Sequence, residues 1–199
     1  YDVLIEELRR LAPQHPLLSK LQEAPELSLF ADAEQSPESR FGQTVTHRHP
    51  MLSLAKAYEL DEVSKWFAGF DGGAVVMPKI DGVACSLRYD SSGALELAAT
   101  RGNGRSGEDV SANIIASGCV PQQVPHDLVP AEVRGEVYIP LAAFDRHLAE
   151  RFSNPRNTTA GAIKQKDHGA TASYHLHFFA YDLIVAEQPD EDEKFTRLE

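Results

Sequence analysis

The hydrophobic and polar positions change period along the chain, and each change marks a predicted element. Tyr1, Leu4, Ile5, Leu8 and Leu11 fall on one helical stripe with acids and arginines opposite, which predicts an amphipathic helix that Pro13 and Pro16 stop. Residues 12–50 are rich in Pro, Ser, His and acidic groups with little periodicity, which predicts a linker with a domain boundary near residue 40. Apolar character returns at Met51-Leu52-Ser53-Leu54, where Ser53 is placed to cap a following helix. Val63, Trp66, Phe67 and Phe70 then recur at helical spacing, a pattern expected of core aromatics.

From Gly73 the period becomes two. The run Ala74-Val75-Val76-Met77-Pro78 reads as strand-like. Val83, Cys85, Leu87 and Tyr89 alternate with smaller or polar residues up to a turn at Ser91-Ser92-Gly93, and Leu95, Leu97 and Ala99 alternate beyond it. That is the signature of a β-hairpin. Glu132–Ile139 predicts a further strand with acids on one face, followed by a helix that Pro140 opens and that runs to about Glu150. Asn154-Pro155-Arg156-Asn157 predicts a turn into a small-residue helix reaching about Lys164, and Tyr174–Val185 predicts a central strand.

A chain of 199 residues is long enough to bury a sizeable core. Its 30 Asp and Glu against 19 Lys and Arg give a formal net charge of −11, which disfavours nonspecific attraction to a polyanion. Cys85 and Cys119 stand apart with no CxxC spacing, so neither a zinc site nor a disulfide framework is indicated, and Cys85 is expected in the core. No run of about 18 apolar residues or signal peptide is present, so a cytoplasmic location is the default expectation.

The chemistry centres on Lys79-Ile80-Asp81-Gly82. A lysine with its free pKa of ~10.4 attacks poorly while protonated and needs desolvation or neighbouring positive charge. Asp81 shares a face with Lys79 if the chain is extended there, suited to orienting the amine or holding a metal ion. Gly82 permits close approach of backbone or ligand. The same four residues also fit an ordinary turn with a surface ion pair. Thr100–Asp109, with glycines at 102, 104 and 107, fits a phosphate-binding loop leading to a helix at about 108–117, or a plain turn. His175 and His177 have no third ligand at suitable spacing.

Taken together, Met51–Leu54, KIDG at 79–82, TRGNGRSGED at 100–109, EVRGEVYIP at 132–140, NPRNTTAG at 154–161 and FFAY at 178–181 resemble the adenylation domain of bacterial NAD-dependent DNA ligases in order and spacing. The resemblance implies an α+β nucleotidyltransferase domain of the DNA-ligase type, unrelated to ATP-grasp, with antiparallel sheets flanked by helices. It implies that Lys79, with Asp81, is catalytic and becomes covalently adenylated from NAD with Mg²⁺. Ser53, Leu54, Ile80 and Arg101 resemble nucleotide contacts, Glu136 the ribose acceptor and Tyr181 the aromatic that stacks on adenine. Arg156 and Lys164 resemble cations facing phosphate or DNA, and Tyr1 and Asp2 the end of a nicotinamide-binding element. No protein metal ligands are assigned. Nicked duplex DNA, engaged mainly by further domains, is the implied partner of a monomer that uses no membrane.

On this resemblance residues 1–35 are the remnant of the nicotinamide-binding helical element plus a linker, and 36–199 a C-terminally incomplete adenylation domain. The sequence departs from the family pattern in having Met77 for the usual Glu, Asn103 for a common Asp and Lys164 for a common Arg. An ATP-using ligase or capping-type enzyme, and a non-catalytic nucleotide-binding module, are the alternatives.

Overall fold

The hairpin foreseen from the period-two pattern forms one half of the main sheet. A computed structural model describes residues 40–70, 74–185 and 191–198, with the side chains of 191 and 192 left aside. The helix expected over 1–11 lies outside these described residues. In chain order the described elements are β1 (Thr44–Thr46), α1 (Leu60–Phe67), β2 (Val83–Tyr89), β3 (Leu95–Thr100), β4 (Ser106–Glu108), α2 (Ser111–Ser117), β5 (Ala131–Tyr138), α3 (Leu141–His147), α4 (Pro155–Ala162), β6 (His177–Ile184) and α5 (Glu191–Leu198). Two 3-10 turns cover His126–Leu128 and His168–Tyr174.

Four antiparallel strands in the order β3-β2-β5-β6 make the main sheet, and β1 pairs with β4 in a separate ribbon. Alternation along β2 sends Cys85, Leu87 and Tyr89 to one face. There they meet Ala98, Val137, Ile114 of α2, Phe144 of α3, and Ala162 and Ile163 at the end of α4 in the principal core. Cys85, Leu87, Ile114 and Val137 are fully buried or within one per cent of it. Burial pushes the Cys85 thiol up, as expected of a core cysteine that is chemically quiet.

The other face of the sheet is polar in its middle. Ser86 lies opposite Arg134 and Ala84 opposite Glu136 in the β2–β5 register. Toward β3 a smaller cluster of Leu97, Ala99 and Val45 attaches the β1 ribbon to this same face. Arg40, just before β1, donates Nη2 to the carbonyl of Glu96 at 2.7 Å and lies 3.5 Å from the buried Asp109 carboxylate. Residues 40–50 therefore belong to the folded body and not to a linker. A three-residue strand carries too few positions to show a period.

On the helical side a buried amide ties two elements together. Asn113 of α2 donates Nδ2 to the carbonyl of Gln165 and to Thr171 Oγ1, both at 2.9 Å, which ties α2 to the turn at 168–174. Asn154 caps α4 by accepting the Asn157 N–H at 2.9 Å, with Pro155 in the first turn. The last strand begins at His177, because Tyr174 ends the 3-10 turn and His175 follows in a left-handed conformation with φ of 54°.

The segment between β1 and β2 departs from expectation. Ala74–Pro78 is not a strand, and Val76 is 94% exposed. Helix α1 forms, but none of its residues is buried, and Trp66 is 58% exposed. Its N-cap is Glu59, not Ser53, with Glu62 Oε2 accepting from the N–H groups of Tyr58 and Glu59. Trp66 packs edge-on to Phe70 at 4.5 Å, so the aromatics of this segment contact one another without entering the core. No described helix is long and apolar enough to cross a membrane.

These placements predict opposite outcomes for two truncations. Leu87→Ala should cost about 2–5 kcal/mol in urea unfolding. Trp66→Ala should cost about 0.5 kcal/mol, as for an exposed position. A Trp66→Ala loss as large as that of Leu87→Ala would place α1 in the core after all.

Candidate active site

The lysine tetrapeptide runs directly into β2, and the β2–β5 pairing decides what stands beside it. Val83 is opposite Val137 and Ala84 opposite Glu136. Gly82 precedes that pair and lies so close to β5 that a Cβ there would collide with the Val137 carbonyl oxygen. Glycine is required at this position by contact, not by an unusual φ. Its N–H donates to Glu136 Oε1 at 3.2 Å. The motif is thus joined to the glutamate 54 residues later in the chain.

Glu136 is half-buried, and burial pushes its carboxyl up from the ordinary range. The Gly82 N–H and the positive charges of Lys79, Arg156 and Arg101 pull in the opposite direction. Those three cations therefore share one electrostatic neighbourhood around the carboxylate. Tyr181 belongs to it too: burial raises its phenol first, the Glu136 charge adds to that, and Arg134 opposes. Lys79 itself is exposed and Ile80 half-buried.

Asp81 does not turn to Lys79. Its Oδ1 accepts from Arg156 Nη1 at 2.7 Å, both side chains being more than half exposed. Arg156 sits in the first turn of α4, which the Asn154 cap and Pro155 start at this point. Lys164, just beyond α4, forms an ion pair with Glu108 of β4.

The glycine-rich loop is closed on itself. Asn103 Oδ1 accepts the N–H groups of Arg105 and Ser106 at 2.9 and 2.8 Å, Gly104 N donates to the Arg101 carbonyl, and Asn103 N to the Ser106 carbonyl. These four amides are spent inside the turn, so they do not form a phosphate cradle. What the loop offers is the exposed Arg101, whose own N–H is anchored to the Ala84 carbonyl at 2.9 Å. Of the two readings open in the sequence, the turn is the one observed.

Of the candidate residues, Lys79, Arg101 and Arg156 act on Glu136 through their charges and Glu136 acts on Tyr181, with Asp81 attached through Arg156. Ser53 and Leu54 are exposed, Leu54 by 79%, and no hydrogen bond among the described residues ties them to this group. Tyr1 and Asp2 lie outside the described residues. Among those residues no three His, Cys, Asp or Glu side chains converge on a metal position. Three residues of the neighbourhood lie inside the quoted motifs without an assigned role: Glu108, Glu132 and Arg134. The signal for the last two was present, since period-two spacing puts Glu132 and Arg134 on the face of Glu136.

An exposed amine, a half-buried carboxylate that accepts hydrogen bonds and several guanidinium groups suit a ligand carrying both phosphates and hydroxyls. The comparisons agree with that chemistry. The family model described as NAD-dependent DNA ligase adenylation domain matches residues 38–198. A DNA ligase of Marinobacter nauticus is 40% identical over 94% of this chain and 29% of its own length. One from Shewanella denitrificans is 39% identical over 100% of this chain and 31% of its own, and one from Herpetosiphon aurantiacus is 38% identical over 91% and 29%. The chain thus spans under a third of the length of these relatives.

The direction of the Glu136 shift carries a testable sign. A carboxyl whose folded-state pKa is raised favours the fold at low pH and loses that contribution as pH rises through the folded value. At neutral pH the ionised Glu136 therefore weakens the fold. Glu136→Gln should melt higher than wild type at pH 7, with the gain gone below about pH 4, where the carboxyl is protonated in both states. Equal melting temperatures at both pH values would show that the surrounding cations offset the burial completely.

Proposed function

The chain belongs to the NAD-dependent DNA ligase adenylation-domain family, and from that membership we propose that Lys79 is its covalent AMP acceptor. The observation that carries the reading is the Gly82–Glu136 hydrogen bond, with Lys79, Arg101 and Arg156 grouped about the same carboxylate. Nucleophile, ribose acceptor and phosphate-facing cations then occupy one small region drawn from four separate stretches of sequence.

In this reading the Lys79 Nζ, freed of a proton to solvent, attacks the α-phosphorus of NAD. The N–P bond forms as the P–O bond to nicotinamide mononucleotide breaks, and AMP remains on the lysine. Displacement at phosphorus asks mainly for alignment and charge neutralisation. Glu136 accepts from the ribose hydroxyls and so fixes the sugar, and Tyr181 covers the base. Arg101 and Arg156 neutralise phosphate oxygens, and Lys164 faces phosphate or DNA. Asp81 acts on Arg156, holding its guanidinium toward the nucleotide, and not on the lysine directly.

Mg²⁺ bound with the nucleotide would supply charge neutralisation at phosphate. The residues fit such an ion only as one taken up with the phosphates, since the described residues offer no converging set of three acidic or histidine ligands. The whole protein, which we read as a cytoplasmic monomer, would pass AMP to the 5′-phosphate of a nick in duplex DNA and seal the strand.

Incubation with NAD and Mg²⁺ followed by intact-mass measurement should show an AMP-sized gain that Lys79→Ala abolishes. ATP in place of NAD should give no gain. A gain that survives Lys79→Ala, or none in the longer native chain, defeats the assignment, and a gain from ATP alone shifts the donor.

A further inference from the structure

Arg134 is almost enclosed, its side chain 13% exposed and that of its partner Glu132 6%. Its guanidinium is spent in three directions. Nε donates to Glu132 Oε1 at 2.9 Å, Nη1 to the Pro50 carbonyl at 3.2 Å and Nη2 to the His49 carbonyl at 2.7 Å. Glu132 in turn accepts from Ser86 Oγ at 3.0 Å, so the acid is fixed from the neighbouring strand. A charge pair on the sheet thereby grips two consecutive carbonyls of a chain segment 84 or 85 residues away.

That segment is also bound on its other side. His47 N donates to the Arg105 carbonyl at 2.9 Å and Met51 N to the Gly104 carbonyl at 2.8 Å. The His47 ring, through Nε2, contacts the Thr100 and Arg101 carbonyls at 3.1 and 3.2 Å. Met51 is buried, and the chain beyond it is exposed from Leu52 onward. Residues 46–51 therefore form a strap between Arg134 and the loop that carries Arg101. Arg134 lies on the same face as Glu136, two residues along β5, and its charge is felt at the Tyr181 hydroxyl.

We propose that Arg134 is a positioning residue for the adenylation site: its fork staples the 46–51 strap to the sheet and, through the strap, sets the Arg101 loop against the nucleotide. The inference rests on the function proposed above. It differs from a simple stabilising ion pair because the carbonyls it grips belong to the strap, whereas Glu132 alone would satisfy the charge. Lysine keeps a charge beside Glu132 but has no planar fork to span both carbonyls.

The decisive variant is therefore Arg134→Lys, since Arg134→Ala leaves Glu132 buried without its partner and endangers folding. In hydrogen exchange on the 199-residue chain, the His47 and Met51 amides of Arg134→Lys should exchange at least ~10-fold faster than wild type while Ser86 and Leu87 of β2 are unchanged. In lysine adenylation, KM for NAD should rise ~10-fold with kcat within ~3-fold, the pattern of lost positioning in binding. Unchanged strap exchange overturns the proposal. So does faster exchange everywhere, which marks a global stability role, and so does faster strap exchange with unaltered nucleotide affinity. If this chain takes no AMP onto Lys79 while the longer native chain does, or if neither does and the adenylation reading fails, strap exchange with AMP affinity by calorimetry still decides the role of Arg134.

Discussion

The register between β2 and β5 is the constraint from which the rest of the site follows. Because successive side chains alternate, a slip of one residue would send Cys85, Leu87 and Val137 to the polar face and Glu136 into the core. Burial on the helical side forbids that slip. The Gly82–Val137 contact tightens it further, since only glycine tolerates so close an approach. Stability of the core thus determines that Glu136 stands beside the residues following Lys79. A contact across 54 residues is held by apolar packing on the opposite side of the sheet.

The two faces divide the work. The helical face buries its polar groups with partners, as the Asn113 network illustrates. The other face concentrates guanidinium groups in a chain that is strongly acidic as a whole. A raised Glu136 carboxyl in their midst is a residue that costs the fold something at neutral pH and is retained where a ligand hydroxyl would use it. The position that weakens the ligand-free protein is also a half-buried hydrogen-bond acceptor.

Much of this was legible in the sequence, for identifiable reasons. The hairpin and β5 announced themselves because long alternating runs bury one face, and the Asn-Pro pair at 154–155 gives a cap and a first turn by local chemistry alone. Ala74–Pro78 misled because apolar content without a pairing partner does not make a strand. Trp66 and Phe70 misled because helical period reports which residues share a stripe and says nothing of what the stripe packs against. The glycine-rich loop was ambiguous until Asn103 was seen to take the amides a phosphate would need. The grip of Arg134 on residues 49 and 50 was hidden because its partners there are carbonyls, and backbone acceptors leave no trace in residue identity.

The ion pairs at the rim show how the ligand-free site is held without being locked. Asp81–Arg156 and Lys164–Glu108 join side chains that are about half exposed or more. Exposed pairs of this kind are each worth about 0–1 kcal/mol. Phosphate oxygens offer the same cations charge-assisted hydrogen bonds with good geometry, and those are stronger. Arg156 and Lys164 can therefore be kept extended by weak carboxylate partners and yielded to phosphate at little cost. Arg134 is the opposite case, enclosed and with its Nε and both terminal nitrogens engaged on fixed acceptors, so exchange with a ligand would leave Glu132 buried and unpaired. Exposure separates arginines free to change partner from one committed to the fold.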